Sequence, residues 1–406
     1  MNVITERLAI EGGQPVKTSR FPKWPFADDR ELQLVEEVVK SRNWWRMSGT
    51  KVKEFESLFA KYHHAAHCLA TTNGTHAIEL ALAALGIGRE DEVIVPAFTF
   101  ISTGTAVLYN NAIPVFADSD PDTFCMDAAS LEKHITLKTK AIIPVHMAGH
   151  PCDMDAICAI ARQHGLFVIE DAAHAHGAEW NNRKIGTFGD VAIFSFQNGK
   201  IMTCGEGGAL LTNNKDIYEK AYLIHGVGRP LNDRTYQHVE LGSNYRMTEF
   251  QGAILIAQLE RLEECNRIRE KNAAILDSLL SIIPGITPQK YDPRVTLNTH
   301  YMYMFYYDPL FFGGLGRMDF VDALIAEGIP SFIGYPLIHK TAFYQKNNFR
   351  GHGPSTPVRV DDFALEHAEK IADEVVWLPH FTLLGKENDL EEIELAIRKI
   401  QKRYDK

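Results

Sequence analysis

Apolar residues recur at helical spacing twice before any strand-like run begins. Leu32, Val35, Val38 and Val39 punctuate Asp29 to Lys40, and Phe55, Leu58 and Phe59 do the same from Val52 to Tyr62, with charged residues between them. Asn43-Trp44-Trp45-Arg46 and the turn at Ser48-Gly49 separate the two stretches, so the spacing predicts two amphipathic helices ahead of the central fold. A different rhythm follows. EVIVPAFTF, AIPVFAD, AIIPVHMAG, LFVIEDAA, VAIFSF and GGALLT are strand-sized and largely apolar. Helical patterns lie among them: HAIELALAAL, a stretch around Gly104 to Tyr109, one through Leu131, and Asp155 to His164. Apolar strands separated by helices belong to parallel sheets covered on both faces, which predicts a large α/β domain with a mainly parallel central sheet.

The pattern changes again at Thr248, where Phe250, Ile254, Ala257, Leu259, Leu262 and Ile268 sit inside a charged surround that runs to Leu280. This predicts one long helix ended by Pro284-Gly285. Pairs such as Glu263 with Arg267 support its wet face by only about 0.3 to 0.5 kcal/mol each. Beyond it, YMYMFYYDP, VDALIAEGI and a helix from Glu387 to Lys402 predict a smaller C-terminal α+β domain. The expected organisation is an N-terminal segment over 1–45, a large domain over 46–250, a linker helix over 251–285 and a small domain over 286–406.

Composition narrows the class without naming a function. The chain has 406 residues, 45% of them apolar, enough for a substantial core. Its 42 basic and 52 acidic residues give a net charge of −10 with no long run of either sign, which disfavours a broad nucleic-acid-binding face. The opening MNVITERLAIEGGQP meets Glu6 and Arg7 before any signal-like apolar segment, and no run of about 18 apolar residues follows. Six cysteines form no CxxC pair. A cytoplasmic protein with reduced thiols and no membrane partner is the expectation.

Candidate chemistry concentrates in three places. Asp171, at the end of the apolar run in IEDAAHAHGA, is placed to emerge at the carboxyl edge of a parallel sheet, where open α/β folds bind ligands. Its carboxylate there either pairs with a protonated pyridine nitrogen or caps a turn. His174 either touches a cofactor or is a satisfied core histidine. In SFQNGKIMTCGEGG, Lys200 follows a strand in a short polar turn from which an amine reaches back to the sheet edge. Enclosure lowers a lysine pKa and prepares it for imine chemistry; a surface lysine is the alternative. Ser195 offers a phosphate hydrogen bond, and the glycines nearby match no Walker A order. Thr72-Asn73-Gly74-Thr75 opens a helix, and helix N-termini receive phosphates as readily as they form ordinary caps. Phe100 either stacks on a ring or belongs to the core.

In this order TNGTHAIELAL, VIVPAFTF, IEDAAHAHGA, SFQNGKIMTCGEGG and GSNYRMTEFQGA resemble the DegT/DnrJ/EryC1/StrS family of fold-type I aminotransferases, over essentially the whole chain. The resemblance implies pyridoxal 5'-phosphate, bonded to Lys200, with Asp171 at the ring nitrogen and His174 near the ring hydroxyl. It implies Phe100 as ring stacker and Gly74, Thr75 and Ser195 around the phosphate. Many members carry glutamine where this chain has His174. Asn244, followed by Arg246 in the GxNxR segment, is implied to cross to the phosphate of a second subunit, hence a homodimer with shared sites. The implied reaction is ping-pong transfer of an amino group from glutamine or glutamate to a keto-cyclitol or (nucleotide-linked) ketosugar. The same scaffold also carries dehydration and aromatisation of the 3-amino-5-hydroxybenzoate synthase type; a noncatalytic binding role is a third reading.

Other polar residues stay open. Arg229 and Arg246 are candidates for gripping the substrate, and Tyr335 and His339 for lining the acceptor pocket, against salt bridges and packing. Trp44 and Trp45 read as core or as a subunit or substrate wall. His146, His150 and Cys152 form no closed ligand set, so no metal is expected.

Overall fold

The computed structural model describes residues 7–231, 234–355, 357–358 and 364–404. Both early helices form where the apolar spacing places them. The first, α1 (Asp29–Ser41), starts on Asp28, whose carboxylate accepts from the Arg30 amide while Glu31 accepts from the Asp28 amide, a reciprocal cap. The second, α2 (Lys51–His63), buries Val52, Phe55 and Phe59.

The central sheet follows from the strand-sized runs. In chain order these are β1 (His67–Thr71), β2 (Glu92–Pro96), β3 (Ile113–Ala117), β4 (Thr139–Ile142), β5 (Phe167–Asp171), a short hairpin of β6 (Glu179–Trp180) and β7 (Arg183–Lys184), then β8 (Val191–Ser195) and β9 (Gly208–Thr212). Helices α3 (Gly74–Ala84), α4 (Ser102–Tyr109), α5 (Ala128–Leu131) and α6 (Met154–His164) lie among them, and α7 (Lys215–His225) follows. Seven strands pair in the order β1-β9-β8-β5-β4-β2-β3. Pairings β2/β3, β2/β4, β4/β5 and β5/β8 are parallel, whereas β9 runs antiparallel to both β8 and β1. The sheet is therefore mixed at one end. The reason is the connection: residues 196–207 join β8 to β9 without a crossover helix, and only an antiparallel partner is reached that way.

Beyond the sheet, α8 (Glu249–Leu280) is capped by Gln251, whose side-chain oxygen accepts from the Thr248 amide. Its 32 residues span about 48 Å. One end buries Ala253, Leu255 and Ile256 in the large core, while Ala273, Leu276 and Leu280 enter a second core. That second core surrounds an antiparallel sheet, β10-β12-β14-β13, made of β10 (Ile286–Pro288), β12 (Met302–Tyr307), β13 (Phe332–Ile333) and β14 (Val375–Pro379). A further strand, β11 (Val295–Leu297), pairs instead with β6. The N-terminal segment divides between the two bodies. Leu8 and Phe21 pack in the smaller core with residues of the C-terminal helix α12 (Glu387–Tyr404), while Leu34 and Val38 of α1 join the larger.

Trp44 and Trp45 do not belong to a core: they are 52% and 50% exposed. The connection between α1 and α2 turns them outward, where the Trp44 ring meets that of Phe250 at 5.6 Å and its carbonyl accepts from the Glu249 amide at 3.1 Å. Among the described residues no helix is long and apolar enough to cross a membrane.

Candidate active site

Parallel pairing of β5 with β8 brings Asp171 and Ser195, the last residues of their strands, to the same sheet edge. The loop after β8 then folds back over that edge. The Lys200 amide donates to the Gln197 carbonyl at 2.9 Å, and the Gly199 amide donates to the Gln197 side chain at 2.7 Å. From the N-terminal segment, the Trp24 indole donates to the Asn198 carbonyl at 3.2 Å. These bonds hold Lys200 inward, 9% exposed. Burial depresses its pKa to about 8, against the pull of the Asp171 charge. A sizeable fraction of the amine is neutral and nucleophilic at mildly alkaline pH.

Asp171 is buried and doubly hydrogen-bonded. One carboxylate oxygen accepts from the Thr103 hydroxyl at 2.9 Å, the other from the Ala173 amide at 3.2 Å. Burial nevertheless holds the carboxyl above its ordinary value, so a cation facing it is favoured. His174 stacks on Tyr301 at 4.3 Å between ring centroids. Burial keeps its imidazole neutral, well below its ordinary pKa, and its Nδ1 finds no hydrogen-bond partner among the described residues.

The opposite end of the cavity is a helix start. Asn73 caps α3 by accepting from the His76 amide at 2.8 Å, leaving the first-turn amides free of intrahelical partners. A Cβ at Gly74 would stand 2.8 Å from the Ser195 Cβ, and one at Gly208 would stand 2.4 Å from the Asn73 carbonyl carbon. Glycine at both positions lets the helix start sit against the ends of β8 and β9. The Thr75 hydroxyl meets that of Ser102 at 2.7 Å. Amides, hydroxyls and a positive helix end form a dianion cradle.

Gly74, Thr75, Phe100, Asp171, His174, Ser195, Lys200 and Tyr335 thus line one cavity of about 730 Å³. Phe100 is 51% exposed on its wall, against a core role. These residues fit pyridoxal phosphate on the chemistry of the donor set: an amine for its aldehyde, a carboxylate for its ring nitrogen, an orphaned imidazole nitrogen and a phosphate cradle. Thr103, Ser102 and Tyr301 share the cavity's surface or support it and were missed from sequence. Their strings AFTFIST and YMYMFYYDP stand out there, but not which residue faces the ligand.

The remaining expected residues lie elsewhere in the chain. Arg229 and Arg246 line a separate cavity of about 280 Å³ beside Trp45, Tyr222 and the buried Arg46–Glu56 ion pair. Asn244 is exposed, next to Tyr245, whose carbonyl accepts from the Thr72 amide. His339 is buried beside Phe116 at 5.3 Å and does not line the larger cavity. His146 accepts from the Cys152 amide, and His150 contacts the Pro151 carbonyl.

The profile of the DegT/DnrJ/EryC1/StrS aminotransferase family matches residues 25–397. The chain belongs to this family. It is an enzyme by that kinship, and its fold is that of the family's fold-type I transferases. It is 42% identical to the 3-amino-5-hydroxybenzoate synthase of Amycolatopsis mediterranei (strain S699) over 377 residues, 92% of this chain and 95% of that protein. It is 36% identical to the L-glutamine:2-deoxy-scyllo-inosose aminotransferase of Streptoalloteichus tenebrarius, covering 98% of each. The crystal structure of a 3-amino-5-hydroxybenzoic acid synthase superposes with a TM-score of 0.88 at 41% identity, covering 95% of this chain and 99% of that one.

Proposed function

We propose that this family member is a pyridoxal-phosphate-dependent aminotransferase that moves an amino group from glutamine or glutamate to a keto-cyclitol or a (nucleotide-linked) ketosugar, working as a cytoplasmic homodimer. The observation that carries the reading is a buried lysine, partly neutral near pH 8, sharing a cavity with a buried carboxylate and a phosphate cradle. Lys200 holds the cofactor by its aldehyde and, once released, carries a proton on and off the substrate carbon. Asp171 holds the proton on the ring nitrogen, Phe100 supports the ring face, and the free nitrogen of His174 serves the ring hydroxyl. Gly74, Thr75 and Ser195 take the phosphate, with Asn244 supplied across the dimer. When bound, pyridoxal phosphate acts as an electron sink that makes the donor's α-proton removable. Tyr335 lines the acceptor side, and Arg229 and Arg246, in their own cavity, are candidates for gripping the substrate.

Amino donation in the scyllo-inosose relative supports the cyclitol acceptor. A second reading, dehydration and aromatisation, is favoured by the 42% identity to the hydroxybenzoate synthase. Nitrogen-labelled glutamine and glutamate, offered with keto-cyclitols and ketosugars and read by mass spectrometry, separate the two. Label in the product supports transamination. Loss of water without label transfer establishes the second reading, and a bound cofactor that no donor aminates overturns transamination in favour of the second reading or a noncatalytic role.

A further inference from the structure

Tyr301 stands immediately before β12, and the residues just ahead of it are fixed. The Thr299 hydroxyl donates to the His174 carbonyl at 3.0 Å and the His300 amide to the Asn298 side chain at 3.0 Å, while the His300 imidazole pairs with Glu270 at 2.7 Å. The backbone at His300 takes a left-handed φ of 45°, which turns the next residue toward the cavity. There the Tyr301 ring stacks on His174 at 4.3 Å, and the Lys200 amine lies 4.4 Å from its centroid. The Tyr335 side chain lies beside the Tyr301 phenol. A ring that contacts both His174 and the reactive amine is more than filler.

We propose that Tyr301 is the positioning residue for Lys200: its ring face holds the amine and favours its protonated form, while the stack on His174 fixes the ring. This deepens the aminotransferase reading and rests on it for its role in the reaction. A lysine that carries a proton between substrate atoms spends part of each turnover as an ammonium detached from the cofactor. Burial alone disfavours that cation; the negative face of an aromatic ring at this distance favours it. The other titratable groups around the amine are Asp171, which also favours the charged form, and His174, His176, His380 and Tyr335. The three histidines are held neutral by burial, and burial raises the Tyr335 phenol. Among the described residues, Asp171 and the Tyr301 ring thus stabilise the Lys200 cation from different structural elements.

The test uses the cofactor-free protein, so its outcome does not depend on which reaction is catalysed. Wild type, Tyr301→Phe and Tyr301→Leu are treated with an amine-acylating reagent across a pH series, and acylation of Lys200 is measured by peptide mass spectrometry. Tyr301→Phe keeps the ring and is expected to keep the wild-type midpoint. Tyr301→Leu loses it, and the midpoint is expected to fall by about one pH unit, the tenfold that about 1.4 kcal/mol of cation–π attraction represents. Tyr301→Met carries the same expectation if the leucine variant does not fold. An unchanged or raised midpoint in the variants without a ring overturns the proposal, even if labelled donors establish transamination. A lowered midpoint with no amino transfer from any donor leaves the lysine platform standing and removes its assigned use.

Discussion

Thr103→Val tests how Asp171 is held. Valine copies the shape of threonine, so the substitution removes one hydroxyl without opening further space. The lost bond, 2.9 Å from a buried carboxylate oxygen, is of the charge-assisted kind worth about 1.5 to 3 kcal/mol. Burial already holds the Asp171 carboxyl above its ordinary value. Its ionisation therefore costs stability, and the cost grows as pH rises from the ordinary carboxylate range through the raised folded value. Without the Thr103 donor, the ionised form loses support and that cost increases. For 406 residues, a loss of this size lowers Tm by about 2 to 3.5 °C. Cofactor-free wild type and variant are melted by calorimetry at pH 8 and pH 5. The gap is expected in full at pH 8 and narrowed at pH 5. The Thr99 hydroxyl, 3.3 Å from that of Thr103, also loses its neighbour, a loss independent of pH. An equal gap at both pH values, or none at pH 8, would refute the electrostatic reasoning.

Three further outcomes follow from the geometry. Gly74→Ala forces the start of α3 away from Ser195, a strain of about 1 to 3 kcal/mol, and should weaken pyridoxal phosphate binding roughly ten- to hundredfold in an absorbance titration; unchanged affinity removes the phosphate cradle. Borohydride reduction of the cofactor-loaded protein should add the cofactor mass to the peptide containing Lys200 and add nothing to Lys200→Ala. An adduct on another lysine would reassign the anchor. Mixing inactive Lys200→Ala and Asn244→Ala subunits should restore roughly a quarter of wild-type activity, because half the dimers are mixed and each has one intact site. No recovery after verified subunit exchange counts against Asn244 crossing over.

What the sequence disclosed and what it hid divide along physical lines. Asp171, Ser195 and Lys200 were legible because strand ends and the turns after them have local signatures, and parallel pairing converts those signatures into one edge. The bounds of α1, α2 and α8 were legible from apolar spacing to within a residue or two. The direction of β9 was not, since GGALLT reads the same either way and only the lack of a crossover helix decides it. Helix α7, with Ala221, Tyr222 and Ile224 buried along it, also carries helical apolar spacing. Thr103 and Tyr301 owe their places to contacts across 68 and 101 residues with Asp171 and Lys200, which no local pattern encodes. Arg229 and Arg246 stood out as arginines near a family string, yet within one chain they face a different cavity.

Helix α8 has a consequence for how the molecule comes apart. A rod of this length that donates one end to each hydrophobic centre makes melting of either body a threat to the other, because fraying it from either side strips a wall from whichever centre that side completes. Heat or denaturant is then expected to produce one shared transition in place of two staged ones. A break in the backbone midway along the rod would leave two fragments, each missing an element it needs to fold.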